Sequence, residues 1–221
     1  VSLGYLVMQA ERTQNDLIQE FIPVAGMRHL SLPDGSQVQL NSKSTLLYPK
    51  QFTGKERCVY LVGEANFKVK PDKKHPFIVK SDDFQVTALG TEFNVSAYPE
   101  NQEISTALLS GSVLVEWGNL TQRTVLQPDE QLTYDKENRQ FRVVHPDMAD
   151  VTAWQRGELV FNEMTVEDII RVLERKYNYT FVYSLNQLKK DRLSFRFKDK
   201  APLAEVMDII VDVAGNLKFK I

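Results

Sequence analysis

The residues of this 221-residue chain that could do chemistry are its acids, three histidines and one thiol, and their spacing assembles none of the usual sites. Glycosidase chemistry needs two carboxyls facing each other across a bond. The paired acids here, Asp82-Asp83 and Asp129-Glu130, sit beside strand-edge turns, where acids serve solvation. His29, His75 and His145 are isolated, with no second His or Cys at ligand spacing. No Gly-rich phosphate loop, G-x-S-x-G elbow or H-E-x-x-H run occurs. Cys58 is the sole cysteine, which excludes an intrachain disulfide and a thiolate zinc cluster. Flanked by Arg57 and Val59 in an alternating run, it reads as a small buried hydrophobe. Three N-x-S/T triplets, at Asn94, Asn119 and Asn178, are too short a pattern to carry weight. Trp117 and Trp154 are candidates for a sugar platform, although Trp154 reads better as packing between domains. These residues point to a non-enzyme that needs no cofactor and no metal.

Charge narrows the partners. The formal net charge is −2, with both signs spread along the chain, so no basic face is available for nucleic acid. The densest basic runs, Lys68 to Lys74 and Lys189 to Arg192, are broken by acid or proline and read as solvated loops. No stretch reaches the ~18 to 20 apolar residues of a membrane helix. Val1 to Met8 is apolar but short, and lacks the basic start and cleavage site of a signal peptide. With no initiator methionine, two readings of it stay open: the tail of a membrane helix, or a first strand or frayed terminus.

Two textures must position whatever the chain does. From about Leu17 to Val144, short runs of period two recur between turn signals such as Pro33-Asp34-Gly35, Tyr48-Pro49, Ser110-Gly111 and Gln127-Pro128-Asp129. That texture predicts an antiparallel β-sandwich or β-roll. Gly63 and Gly90 interrupt strand-like runs, as bulges or close backbone approaches do, and an inward Glu64 would need a donor such as Arg57. After Asp150 the period becomes helical. Val166, Ile169, Ile170, Val172, Leu173 and Tyr177 recur at helical spacing behind an N-cap at Thr165 with Asp168 three residues on. A second helix is predicted over Leu203 to Ala214, with Val206, Ile209, Ile210 and Val213 on its apolar face, Pro202 in its first turn and Gly215-Asn216 at its stop. Strand–helix–strand occurs twice, at an offset of about 34 residues: Glu158–Phe161 with Thr180–Tyr183, and Leu193–Phe197 with Leu217–Ile221. This predicts mainly β structure followed by a small α+β domain of two packed βαβ units.

The ordered turns and strands resemble a known family. Leu32-Pro33-Asp34-Gly35-Ser36, Leu40-Asn41-Ser42 and Leu47-Tyr48-Pro49 are similar to the first signature of FecR regulators. The order continues through Phe52, Arg57, Gly63-Glu64-Ala65, His75-Pro76-Phe77, Leu89 to Val95, Leu109 to Val113 and Leu126 to Gln131. Trp154 to Phe161 and the helix after it resemble the small C-terminal domain of such regulators, itself similar to the short signalling domain of TonB-dependent transducers and secretins. Gln39 and Asp129 depart from the family's usual residues, in surface and turn detail only.

The resemblance implies three segments: 1–16 juxtamembrane segment or linker, 17–150 FecR-like all-β domain, 151–221 signalling-type α+β domain. It implies the periplasmic part of an inner-membrane anti-sigma factor, whose full length carries a membrane helix and a cytoplasmic domain that binds an ECF sigma factor. The implied partner outside is the signalling domain of an outer-membrane TonB-dependent transducer. Extended partners add to strand edges, so the expected contact is Phe195, Arg196, Phe197 and Lys198 with Leu217 and Phe219. The alternative from another class is a β-rich carbohydrate-binding or glycosidase-accessory protein with Trp117 at its surface. On either reading the turn and signature residues serve as scaffold.

Overall fold

A computed structural model describes residues 17–82, 84–118, 120–183, 192–198 and 201–214. Alternation of apolar and polar residues produces thirteen strands before Pro146. They are β1 (Leu17–Phe21), β2 (Arg28–Ser31), β3 (Gln37–Leu40), β4 (Thr45–Pro49), β5 (Arg57–Lys68), β6 (Phe77–Ser81) and β7 (Phe84–Ala88). There follow β8 (Glu92–Ala97), β9 (Glu103–Ser110), β10 (Val113–Trp117), β11 (Gln122–Leu126), β12 (Gln131–Asp135) and β13 (Gln140–Val144). All thirteen belong to one curled sheet with the path β11-β10-β7-β6-β5-β8-β9-β12-β13.

The twelve-residue β5 is the hinge of that sheet. Its first half pairs with β4 and, in parallel, with β6. From Gly63 onward it pairs with β8, and beyond it with β3. Strand β5 thus changes neighbours at Gly63, and its inward row of Val59, Leu61, Ala65 and Phe67 faces one core throughout. Phe67 stacks on Phe93 at 5.3 Å and lies 6.0 Å from Phe77, which places the aromatic centre where the two halves meet. Gly63 has φ +107, and a Cβ there would lie 2.4 Å from Ser44 Oγ. Only glycine permits that approach.

After the β region the chain forms a one-turn helix α1 (Met148–Val151), a 3₁₀ turn (Ala153–Arg156), β14 (Leu159–Thr165), α2 (Val166–Tyr177), β15 (Arg192–Phe197) and α3 (Leu203–Ala214). β14 and β15 pair antiparallel, joined on one face by Phe161 and Phe195 with ring centroids 4.8 Å apart. Thr165 caps α2 as expected: Asp168 N–H donates to its Oγ1 at 3.2 Å, and that hydroxyl donates to Asp168 Oδ2 at 2.8 Å. The apolar stripe of α2 and Leu203, Val206, Met207 and Ile210 of α3 fill a second core against the two strands. Ile209 and Val213, expected on that face, are exposed, because the buried row runs through Leu203 and Met207 instead.

The architecture is therefore mainly β, with a small region of strands and helices after it. One strand expectation fails in detail. Thr180–Tyr183 carries no ladder among the described residues. Its Phe181 N–H donates instead to Glu174 Oε1 of α2 at 3.0 Å, and Val182 is 98% exposed, so the segment packs back on the helix. The other closing strand, Leu217–Ile221, lies outside the described residues.

Candidate functional site: a polar platform under the C-terminal region

Two clusters of signature residues are built on opposite ends of β5. At its start, Arg57 is 4% exposed and donates from Nη1 to Asp34 Oδ2 at 2.6 Å and to Lys70 O at 2.9 Å. Its Nε donates to His75 O at 2.8 Å, and its guanidinium lies 5.5 Å from the Phe77 centroid. Asp34 also accepts from Ser36 N–H at 3.0 Å and Ser36 Oγ at 2.6 Å, while Gly35 takes φ +87 to close the turn. Burial opposes charge on Asp34, but the Ser36 bonds and the Arg57 guanidinium outweigh it and hold the carboxyl below its ordinary value. The Leu32 to Ser36 signature is thus a turn clamped to the strands that follow it.

The far half of β5 differs. Glu64 does not meet Arg57. It accepts from Asn41 Nδ2 at 2.7 Å and Asn94 Nδ2 at 3.0 Å, because strand alternation turns it to the outer face of the sheet while Arg57 turns inward. Burial pushes its carboxyl above the ordinary range, against those two bonds and the charge of Arg175. Ser44 Oγ accepts from Glu64 N–H at 2.8 Å, and Tyr98 donates its hydroxyl to Ser42 O at 2.8 Å. Across the outer face, Glu64, Ser96, Ser105, Thr133 and Arg142 stand in register on β5, β8, β9, β12 and β13. Side chains of that row line a cleft of about 730 Å³, whose far wall includes Trp154, Leu159, Val160 and Arg175 from the C-terminal region.

The C-terminal region is seated on this platform by polar contacts. Trp154 Nε1 donates to Asn94 Oδ1 at 3.2 Å, in agreement with the packing role expected for it. Arg175, 6% exposed on the last turn of α2, donates to Glu100 Oε1 at 2.9 Å and Asn101 Oδ1 at 3.1 Å. Its guanidinium lies 3.8 Å from the Tyr98 ring centroid. Ala25 N–H donates to Arg175 O at 2.9 Å, and Arg192 approaches Glu103 at 3.8 Å. A charged hydrogen bond contributes roughly 1.5 to 3 kcal/mol and a cation–π contact roughly 0.5 to 2 kcal/mol. The seat is therefore worth a few kcal/mol, well below what either core contributes.

Sequence reasoning placed Asn41, Ser42, Glu64 and Asn94 in scaffold and did not single out Tyr98 or Arg175. Their only local signal is polarity: Asn94 interrupts the apolar run of β8, and Arg175 lies between Leu173 and Tyr177 of the α2 stripe. The strand residues chosen as a partner surface are dispersed by the fold. Phe197 is 6% exposed in the second core and Phe195 packs beside it. Arg196 is exposed and ion-paired with Asp150, and Lys198 is exposed just past β15. Leu217 and Phe219 lie outside the described residues. Trp117 is 2% exposed, donates to Gln122 Oε1 at 2.7 Å and packs 4.8 Å from Phe141, so it offers no sugar platform.

Comparison with known proteins finds two family matches along the chain. The family model described as FecR protein matches residues 21–114, and the one described as FecR, C-terminal, matches residues 158–221. Two crystal structures of a proposed anti-sigma factor from Parabacteroides distasonis, at 2.50 and 1.65 Å resolution, superpose with a TM-score of 0.84. Each is 32% identical, covering 89% of this chain and 91% of that one. The chain belongs to the FecR family. No curated protein matches it. The first match holds Asp34, Arg57, Glu64, Asn94 and Tyr98, and the second holds Arg175, so the seat joins the two matched segments. FecR proteins are regulators rather than enzymes. Among the described residues, no group of acids, histidines or cysteines could hold a metal, and no helix is long and apolar enough to cross a membrane.

Proposed function

We propose that this chain is the periplasmic sensor and transmission part of a membrane-anchored anti-sigma factor. It receives a signal from an outer-membrane TonB-dependent transducer and passes it to a cytoplasmic ECF sigma factor, by protein contact and without catalysis. The observation that carries this reading is the pair of FecR matches, in order, on a fold shared with a proposed anti-sigma factor over 89% of the chain. The small C-terminal region is the part that meets the transducer, and the β region is what it reports to. The carbohydrate alternative is not favoured, because Trp117, its expected platform, is enclosed.

Calorimetric titration of the transducer's N-terminal signalling domain into this chain tests the reading, with saturable one-to-one binding expected. The exposed end of β15 is the expected contact, so charge reversal at both Arg196 and Lys198 should weaken binding about tenfold, some 1.4 kcal/mol. Absence of heat and of co-elution with a folded signalling domain would sink the proposal. Undiminished affinity of the double variant would move the contact to another face.

A further inference from the structure

The two regions are held together by hydrogen bonds, an ion pair and a cation–π contact. Among the described residues the two hydrophobic cores share no side chain. The polar contacts that cross between them centre on Arg175, a buried cation at the end of a helix whose apolar stripe is engaged elsewhere. Its guanidinium is received by Tyr98, Glu100 and Asn101, all from the turn after β8. That turn is stiff. Lys136 Nζ donates to the carbonyls of Tyr98 and Pro99, each at 3.0 Å, and Asn101 N–H donates to Tyr98 O at 3.2 Å. Beside the seat the regions do not close on one another but leave the cleft of about 730 Å³. Small polar contacts with open space alongside are the kind across which domains move.

We propose that Arg175 is a releasable clasp. With Arg175 seated, the C-terminal region covers the Glu64–Asn94 platform. With Arg175 withdrawn, the region swings away as an intact body and uncovers it. Two directional hydrogen bonds and a stacked ring all depend on one side chain, so a small shift of the C-terminal region as one body breaks them together. The same shift leaves the apolar contacts of α2 with β14 and α3 in place. This deepens the transmission reading above and rests on it: a partner bound to the C-terminal region signals by unseating Arg175.

The reporter is the Ala25 amide, which donates to Arg175 O and so is protected only while the regions are docked. Hydrogen exchange on the whole chain should show at least tenfold faster exchange at Ala25 in Arg175→Ala. Core amides of β5 and α2 should keep their wild-type rates. Arg175→Lys, which keeps the charge but loses the stacked guanidinium plane, should fall between. The pair Glu100→Gln with Asn101→Ala approaches the same clasp from the β side, and decides the matter if Arg175→Ala loses core protection as well. Adding the transducer's signalling domain to the wild type should also speed Ala25 exchange. Unchanged Ala25 protection in both the arginine and the Glu100/Asn101 variants overturns the clasp, whether or not the signalling domain binds. A signalling domain that binds yet leaves Ala25 protected overturns release by that partner. One that does not bind at all counts against the transducer reading, and the variants still judge the clasp.

Discussion

Arg57 and Glu64 are charged residues on one strand, and the structure treats them in opposite ways. Arg57 points inward, is 4% exposed, and is neutralised by Asp34 and two carbonyls. Glu64 points outward to the cleft and is held only by the neutral amides of Asn41 and Asn94. The first arrangement locks a turn to the sheet and involves the β region alone. The second leaves a carboxylate in a poorly solvated setting, and its Asn94 also accepts from Trp154 of the C-terminal region. A full ion pair is a scaffold device because removing either partner strands a charge. A carboxylate satisfied by amides can exchange hydrogen bonds with whatever covers it, and so suits a platform.

The contrast can be broken most forcefully at Arg57. Arg57→Ala should lower stability by roughly 3 to 5 kcal/mol, because it leaves Asp34 unpaired beneath the turn. Chemical denaturation of the whole chain measures this, and a loss below about 1 kcal/mol would show that the pair is not structural.

A smaller effect separates the two acids by the direction of their pH dependence. The Asp34 carboxyl lies below its ordinary value of 3.8, so its stabilising share is full above that pH and is lost as pH falls through the depressed value. Asp34→Asn should accordingly be less stable than wild type at neutral pH, and the gap should close in acid. The Glu64 carboxyl is raised above 4.5, so its share is full below that pH and fades as pH rises through the raised value. Glu64→Gln should flatten that decline in melting temperature. Parallel pH profiles for the two variants would erase the distinction drawn between them.

The smallest effect on stability is expected at the platform's other side. Trp154→Phe keeps the ring and removes the donor to Asn94 Oδ1, which should cost about 1 kcal/mol or less. Chemical denaturation measures this, and a loss above about 2 kcal/mol would show that Trp154 belongs to the scaffold rather than to the platform.

How much of this was legible beforehand follows from the range of the interactions. Alternation marked β3, β5, β8 and β10, and the stripe and cap marked α2, since these depend on residues two to four positions apart. Thr180–Tyr183 was misread for the same reason: its β-type composition is local, whereas its contact with Glu174 arises from the helix beside it. Arg57 lies 23 residues from Asp34, Asn41 and Asn94 lie 23 and 30 from Glu64, and the side-chain partners of Arg175 lie 74 and 75 away, so no short window of sequence contains them.

By itself, then, the sequence determined a β-rich chain with a small helical tail and an ordered set of turns that resembles FecR regulators. Periodicity and turn chemistry are encoded residue by residue. Only the tertiary structure decided which polar residues are scaffold and which are platform. Gly63 lets β5 change neighbours while the pleat sends Arg57 and Glu64 to opposite faces, and the return of the chain through Arg175 covers one of them. Those assignments depend on where distant strands meet, which is a property of the packed core rather than of any local run of residues.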